Sequence, residues 1–319
     1  MRFALMIEPQ QGLSYEEILA LARAAEDAGF EAIFRSDHYT SFPGAAGLPT
    51  TDAWATTAGL ARETRRINLG VLVSPVTFRA PGNLAKVTAT VAEMSGGRVE
   101  VGLGAGWSVP EHHQHGLPFP DVRVRFDMLE EQLAILHGLW SEPDGWSYAG
   151  AHWQVSGSLF RPRPMSSAGR RHPNLIVGGD AKPRMAALVA RYADEVNISS
   201  ATPASAAAGY KRVREACRAI GRDPGSVTLS AMTGVLVGRD EAEVERRAQA
   251  VLEGVGRGGG IDAQGWLAER RPHWIFGTPE QARARVTELA DAGVQRVMLQ
   301  TFLPRDLEMV ARLGEILLS

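Results

Sequence analysis

Alternating strand-like and helix-like segments predict an α/β chain closed into a (β/α)8 TIM barrel, on three observations. Short apolar runs alternate with helix-patterned segments eight times along the sequence. The length of 319 residues is somewhat above the roughly 250 typical of such a barrel. No Pro-, Ser- or charge-rich linker divides the chain, so 1–319 reads as one domain, with irregular insertions near 141–173 and 254–275.

The units follow in order. Phe3–Ile7 is the first apolar run. Ser14 then caps a helix with Glu17 three positions on, a capping box; Leu19, Ala22 and Ala25 share one face, and Ala28-Gly29 ends it. Ala32–Phe34 is the second strand, and Asp52 opens a helix that reaches Arg65. Ile67–Val73 is the third, followed by a helix opened by Pro81, carried by Leu84, Val87 and Val91, and stopped at Gly96-Gly97. The fourth strand and its turn, Arg98–Trp107, read R-V-E-V-G-L-G-A-G-W. Glycines at 102, 104 and 106 leave backbone bare at its C-terminal end, where a planar ligand would need room. Arg125–Trp140 is its helix. Leu175–Val177 with Pro183–Tyr192 and Val196–Ile198 with Ala204–Ile220 are the fifth and sixth units. Val227–Val237 with the helix from Glu241, and Val294–Leu299 with the helix from Leu307, complete the set.

A doubly wound sheet uses the same units, but it needs a phosphate fingerprint after its first strand. Glu8-Pro9-Gln10-Gln11-Gly12 lacks G-x-G-x-x-G, and Gly102, Gly104 and Gly106 have the wrong spacing and follow a later strand. In a barrel, chemistry gathers at the C-terminal ends of the strands.

Composition narrows the partners. A net charge of -2 with no Lys/Arg cluster argues against a nucleic-acid surface. The single cysteine, Cys217, excludes an internal disulfide and fits a reducing compartment. No apolar run approaches the roughly 20 residues of a membrane span, so the expected location is cytoplasmic and the expected partner a small molecule. The only lysines are Lys86, Lys182 and Lys211 among many arginines, a usage that suggests a GC-rich genome.

Four strand-end clusters carry candidate chemistry. Asp37-His38 after the second strand suits proton transfer, because imidazole titrates near neutrality; the plainer reading is a capping Asp beside a solvated His. Val73-Ser74-Pro75-Val76 after the third bends the chain inward or makes a routine turn. Val177-Gly178-Gly179-Asp180 leads into a helix with Lys182 and Arg184 in its first turn, an anion site that the charge of Asp180 weakens. The loop with Glu111, His112, His113 and His115 could bind zinc, as in a zinc-dependent barrel hydrolase, but neither H-x-H at the first strand nor H-E-x-x-H is present.

S-D-H after the second strand, V-S-P-V-T-F-R-A-P after the third, and A-K-V-T-A-T-V-A-E-M-S-G-G-R-V-E-V-G-L-G-A-G-W through the fourth resemble the luciferase-like monooxygenase superfamily, as do R-F-D-M-L-E-E and V-G-G-D-A-K-P-R. The likeness is to its coenzyme F420-dependent branch, spans nearly the whole chain and is most specific from Leu72 to Trp107. It implies a bacterial luciferase-like barrel with rim insertions, commonly a homodimer packed through barrel helices, that binds a flavin or deazaflavin in its mouth. The implied activity is hydride transfer between C5 of F420 and a small organic substrate; the alternative is a monooxygenase using reduced FMN.

Carried over by residue, the resemblance makes Val73 and Ser74 the bulge, often a non-proline cis peptide, that backs the middle ring. Gly104, Ala105 and Gly106 would leave space along the ring edge. Val177, Gly178 and Gly179 would form the phosphate turn, helped by Lys182 or Arg184. Asp37 would bond the polar ring edge or orient its neighbour, and His38 would be the acid/base near C5. Two positions depart from the sugar-phosphate dehydrogenases of the superfamily: Trp107 stands where they carry a Glu, and Phe42 where they carry a Trp. Both imply a more apolar substrate, with Glu111 as a candidate replacement acid. Trp146, Tyr148, Trp153 and Phe160 in the first insertion would line a pocket or pack as a hairpin over the barrel. The glycines at 256, 258, 259 and 260 in the second suggest a lid or a disordered loop.

Overall fold

A computed structural model describes residues 1–166, 169, 171–257, 259 and 262–318. Gly258 and Gly260 of the expected lid lie outside the described residues. The first half of the chain alternates as β1 (Arg2–Ile7), α1 (Tyr15–Asp27), β2 (Ala32–Arg35), α2 (Ala53–Glu63), β3 (Asn68–Pro75), α3 (Pro81–Ser95) and β4 (Val99–Gly104). A short α4 (Val109–Gln114) and long α5 (Val122–Ser141) precede the hairpin β5 (Trp146–Ala149) and β6 (Gln154–Ser158). Then come β7 (Asn174–Gly178), α6 (Pro183–Tyr192), β8 (Glu195–Ile198), α7 (Pro203–Ala219) and β9 (Thr228–Val237). The chain continues with α8 (Glu241–Gly256), α9 (Ala263–Arg270), β10 (Ile275–Gly277), α10 (Pro279–Asp291), β11 (Arg296–Thr301) and α11 (Leu307–Leu317).

Strands β9-β11-β1-β2-β3-β4-β7-β8 lie side by side, and a β8–β9 pairing closes them into an eight-stranded barrel. All of these pairings are parallel. Period-two alternation explains the two-sided burial. Ala4, Met6, Ala32, Phe34, Leu72, Ile176 and Met298 form one apolar cluster, while Phe3, Leu5, Ile7 and Ile33 join the larger layer shared with the helices. Phe34 fits because β3 carries Gly70 beside it, where a Cβ would lie 2.1 Å from the ring.

A buried ion network closes the bottom of the barrel at the first residues of its strands. Arg296 donates to Glu100 at 2.6 and 2.8 Å and to Glu195 at 2.9 Å. It also pairs with Glu31. Asn174 bridges Glu100 and Glu195 at 2.7 and 2.9 Å. Burial alone would lift the Glu100 carboxyl, but Arg296 and the amide donors hold it below the usual range.

One sequence expectation changes here. The seventh barrel helix is α10, which packs between α7 and α11, and the helix from Glu241 instead begins an insertion running to β10. The helix was hard to see because only Ala282 and Leu289 on it are buried, so its apolar stripe is thin. Of the two alternatives for the first insertion, the hairpin packed over the barrel is the one found, and its aromatic residues do not line the cavity. Trp146 packs over Gly138 of α5, where a Cβ would meet the indole at 2.1 Å, and the hairpin turn donates Ala151, His152 and Trp153 N–H groups to Glu131.

Candidate functional site

A cavity of about 760 Å³ opens at the C-terminal ends of the strands. Of the expected residues, His38, Val73, Gly104, Ala105, Gly106, Glu111, Gly178, Gly179 and Lys182 line it; Asp37, Ser74 and Val177 do not.

The β3 wall is built from the bulge outward. Register shifts between Val71 and Ser74, and the Leu72–Val73 peptide is cis. The bulge turns Val73 so that its two methyl groups lie against Gly104 and Gly178, where added Cβ atoms would stand 2.7 Å away. The bare backbone at these two glycines therefore receives Val73, and the ring space expected at Gly104 is taken by that side chain. Behind the wall, the Trp54 indole N–H donates to the Ser74 hydroxyl (2.9 Å), which donates to Asp37 (2.8 Å). Arg79 pairs with the same carboxylate at 2.5 Å and also with Asp52. Asp37 thus anchors the β2 and β3 turns to each other, one layer behind the cavity surface.

His38 projects into the cavity. Its Nδ1 lies 3.0 and 3.1 Å from the two oxygens of Glu111, a residue that α4 brings in from the β4 turn. The Tyr39 backbone N–H donates to the same carboxylate at 3.1 Å. Burial works to raise the Glu111 carboxyl, but the His38 and Tyr39 hydrogen bonds bring it below its ordinary value. An ionised acceptor at Nδ1 places the proton there and turns Nε2 to the cavity, where no described residue bonds it. Phe42 and Trp107 stand edge-on to the imidazole with centroids 4.5 and 5.7 Å away. As for other carboxylates that orient a functional imidazole, Glu111→Gln is expected to cut kcat on the order of tenfold to a hundredfold. KM should barely move and the pH–rate profile should shift, since the charge that balances a protonated ring is gone; an unchanged profile would show Glu111 to be scaffolding.

The three other loop elements of the zinc reading do not converge. His112 is buried, with Nδ1 donating to the Ser108 carbonyl and Nε2 accepting from Thr77, both at 2.6 Å. His115 turns to the Tyr39 carbonyl at 3.2 Å, and His113 is exposed. Among the described residues no group of three metal-ligating side chains is placed to hold an ion.

The turns after β7 and β8 form the opposite, polar end. Gly179 at φ +141°, Ala181 at +46° and Ser200 at +47° all take up positive φ. Arg212 fixes the first turn by donating to the carbonyls of Ala181 (2.7 Å) and Asp180 (3.1 Å). Lys182 lines the cavity and lies 3.7 Å from Asp180, whereas Arg184 turns away to Asp127 on α5.

Several lining groups escaped sequence reasoning. Glu8 is buried and accepts from Gln10 and Gln300 at 2.6 Å each, while Ser36 donates to Gln10 at 2.7 Å. Trp266, Arg270, His273 and Trp274 arrive from the second insertion. The "E-P-Q" following the first strand was the signal for the former; nothing local marks the latter. Gly234→Ala is expected to destabilise the fold by about 1–3 kcal/mol in thermal unfolding, because its Cβ would lie 2.1 Å from the Trp274 indole.

The parallel barrel thus carries a bulge-backed cavity at its mouth, with His38 against Glu111 at one end and the turns after β7 and β8 at the other. The chain belongs to the luciferase-like monooxygenase family, whose model matches residues 1–296. An F420-dependent glucose-6-phosphate dehydrogenase from Microbacterium testaceum is 33% identical over 150 residues, 46% of this chain and 44% of that protein. The matched stretch thus spans less than half of that dehydrogenase. The pyrimidine monooxygenase RutA from Stutzerimonas stutzeri is 28% identical over 269 residues, 82% of this chain and 71% of that protein. An F420-dependent secondary alcohol dehydrogenase in complex with an F420-acetone adduct has the same fold, with a TM-score of 0.81 at 19% identity over 99% of this chain and 98% of that one. Among the described residues no helix is long and apolar enough to cross a membrane.

Proposed function

We propose that this protein is an F420-dependent oxidoreductase that moves a hydride between C5 of the deazaflavin and a small organic substrate. One observation carries the reading: His38, its Nδ1 held by buried Glu111, shares a cavity with the Val73 bulge and the Gly178-Gly179 turn. The residues fit such a group, since Leu72, Val73, Pro75 and Ala105 offer an apolar wall for a ring. Beside the Gly178-Gly179 turn, Ser199, Ser200 and Lys182 offer donors for a phosphate. When bound, the deazaflavin supplies the two-electron chemistry.

The chain's own share is placement and proton transfer. Val73 and Pro75 would back the ring, and the paired turns after β7 and β8 would hold the phosphate. His38 exchanges the accompanying proton through Nε2, and Glu111 stabilises the ring while it is protonated. Phe42 and Trp107 keep water from that face. The relatives named as F420-dependent dehydrogenases support this cofactor.

A second reading, a monooxygenase using reduced FMN and oxygen, is favoured by the length of the RutA match, the longer of the two alignments. Fluorescence titration of the purified protein separates the two. Saturable binding of F420 with little response to FMN is expected, and the reverse order would replace the first reading by the second.

A further inference from the structure

The second insertion gives the cavity a wall that the cofactor reading leaves unused. Trp274 and Phe302 lie parallel, 2° apart with centroids separated by 5.2 Å. Trp266 stands edge-on to both, at 5.6 and 5.1 Å. All three line the cavity. The wall is built into the fold: Gly234 of β9 leaves its face bare for the Trp274 indole, and Thr233 Oγ1 donates to the His273 carbonyl at 3.1 Å. Across the mouth, Trp107 is 64% exposed, a large apolar ring with little of this chain covering it.

This aromatic surface carries a cation. The Arg270 guanidinium lies 4.4 Å from the Trp266 ring centre and donates to the Trp266 carbonyl at 3.0 Å, its one hydrogen bond among the described residues. Its ion-pair partner is Glu269, 3.5 Å away and 80% exposed, a pairing that water screens heavily. A planar fork stacked on an aromatic plane, with donors to spare, is suited to a carboxylate on a flat molecule. His273 lines the mouth beside it.

We propose that this wall selects a planar aromatic substrate bearing a carboxylate, its rings against Trp266, Trp274 and Phe302 and its anionic head on Arg270. The assignment rests on the cavity being the seat of the hydride-transfer reaction, but its recognition chemistry is testable without cofactor. Protein free of F420 is titrated with 2-naphthoate, neutral 2-naphthol and non-aromatic cyclohexanecarboxylate, followed by tryptophan fluorescence and calorimetry. The naphthoate is expected to bind about tenfold more tightly than either comparison ligand, and Arg270→Gln to remove that advantage while Arg270→Lys keeps part of it. F420 affinity in Arg270→Gln should stay at the parent value. Equal affinity for 2-naphthoate and 2-naphthol, or an Arg270→Gln variant that loses F420 instead of naphthoate, overturns the assignment. Because cofactor and ligand are titrated separately, a protein that ignores F420 yet prefers naphthoate sinks only the cofactor reading.

Discussion

Replacing His38 with Ala is expected to lower turnover on the order of a hundredfold or more while F420 affinity stays at the parent value. The two readouts part because His38 stands at the cavity surface with Nε2 free, whereas the apolar wall and the phosphate turn that would grip the cofactor come from β3, β4, β7 and β8. Glu111 would then lose the partner of its carboxylate, yet it keeps the Tyr39 N–H at 3.1 Å, so α4 stays docked. Single-turnover rates and a binding isotherm on the same preparation test both halves. Parent-like turnover removes His38 from the mechanism; lost cofactor binding makes it part of the wall instead.

The second large effect is on stability. Arg296→Met leaves Glu100 and Glu195 buried without their shared cation, and breaking a buried network in this way costs roughly 3–5 kcal/mol. A fall in thermal midpoint of several degrees or more is expected. The pH dependence has a definite sign. In the parent, the folded Glu100 carboxyl titrates below its ordinary 4.5, so its contribution is complete above that pH and is lost as acid protonates it. In the variant that order reverses: an uncompensated carboxylate is relieved by protonation, and the deficit relative to the parent should shrink as pH falls towards 5. Unfolding curves at neutral and mildly acidic pH decide it. A deficit that grows with acid would mean that Glu100 is not what Arg296 holds.

The alternation of strands and helices was legible because a parallel strand covered on both faces is mostly apolar, and runs such as Phe3–Ile7 and Leu175–Val177 are so throughout. Elements with one thin stripe were not. The α10 segment buries only Ala282 and Leu289, so its pattern resembles a polar loop despite its Thr278 capping box. In the site, the rim turns stand out because glycine and proline mark them locally. What the sequence hides is depth. Asp37 and His38 are neighbours, yet one anchors the Ser74 hydroxyl behind the wall and the other faces the cavity, and no spacing rule separates them. The pairing of His38 with Glu111, 73 residues apart, depends on where α4 happens to turn. The wall of Trp266 and Trp274 is hidden for the same reason: their partners, Gly234 on β9 and Phe302 just past β11, lie on either side of the insertion.

The ionic floor and the cavity mouth occupy opposite poles of the barrel. Rim segments such as the stretch from α8 to β10 can therefore be traded between homologous chains without touching what keeps the barrel shut. Directed evolution of new substrate preference in this scaffold should start with that stretch, leaving Arg296 and its carboxylates as the fixed keel.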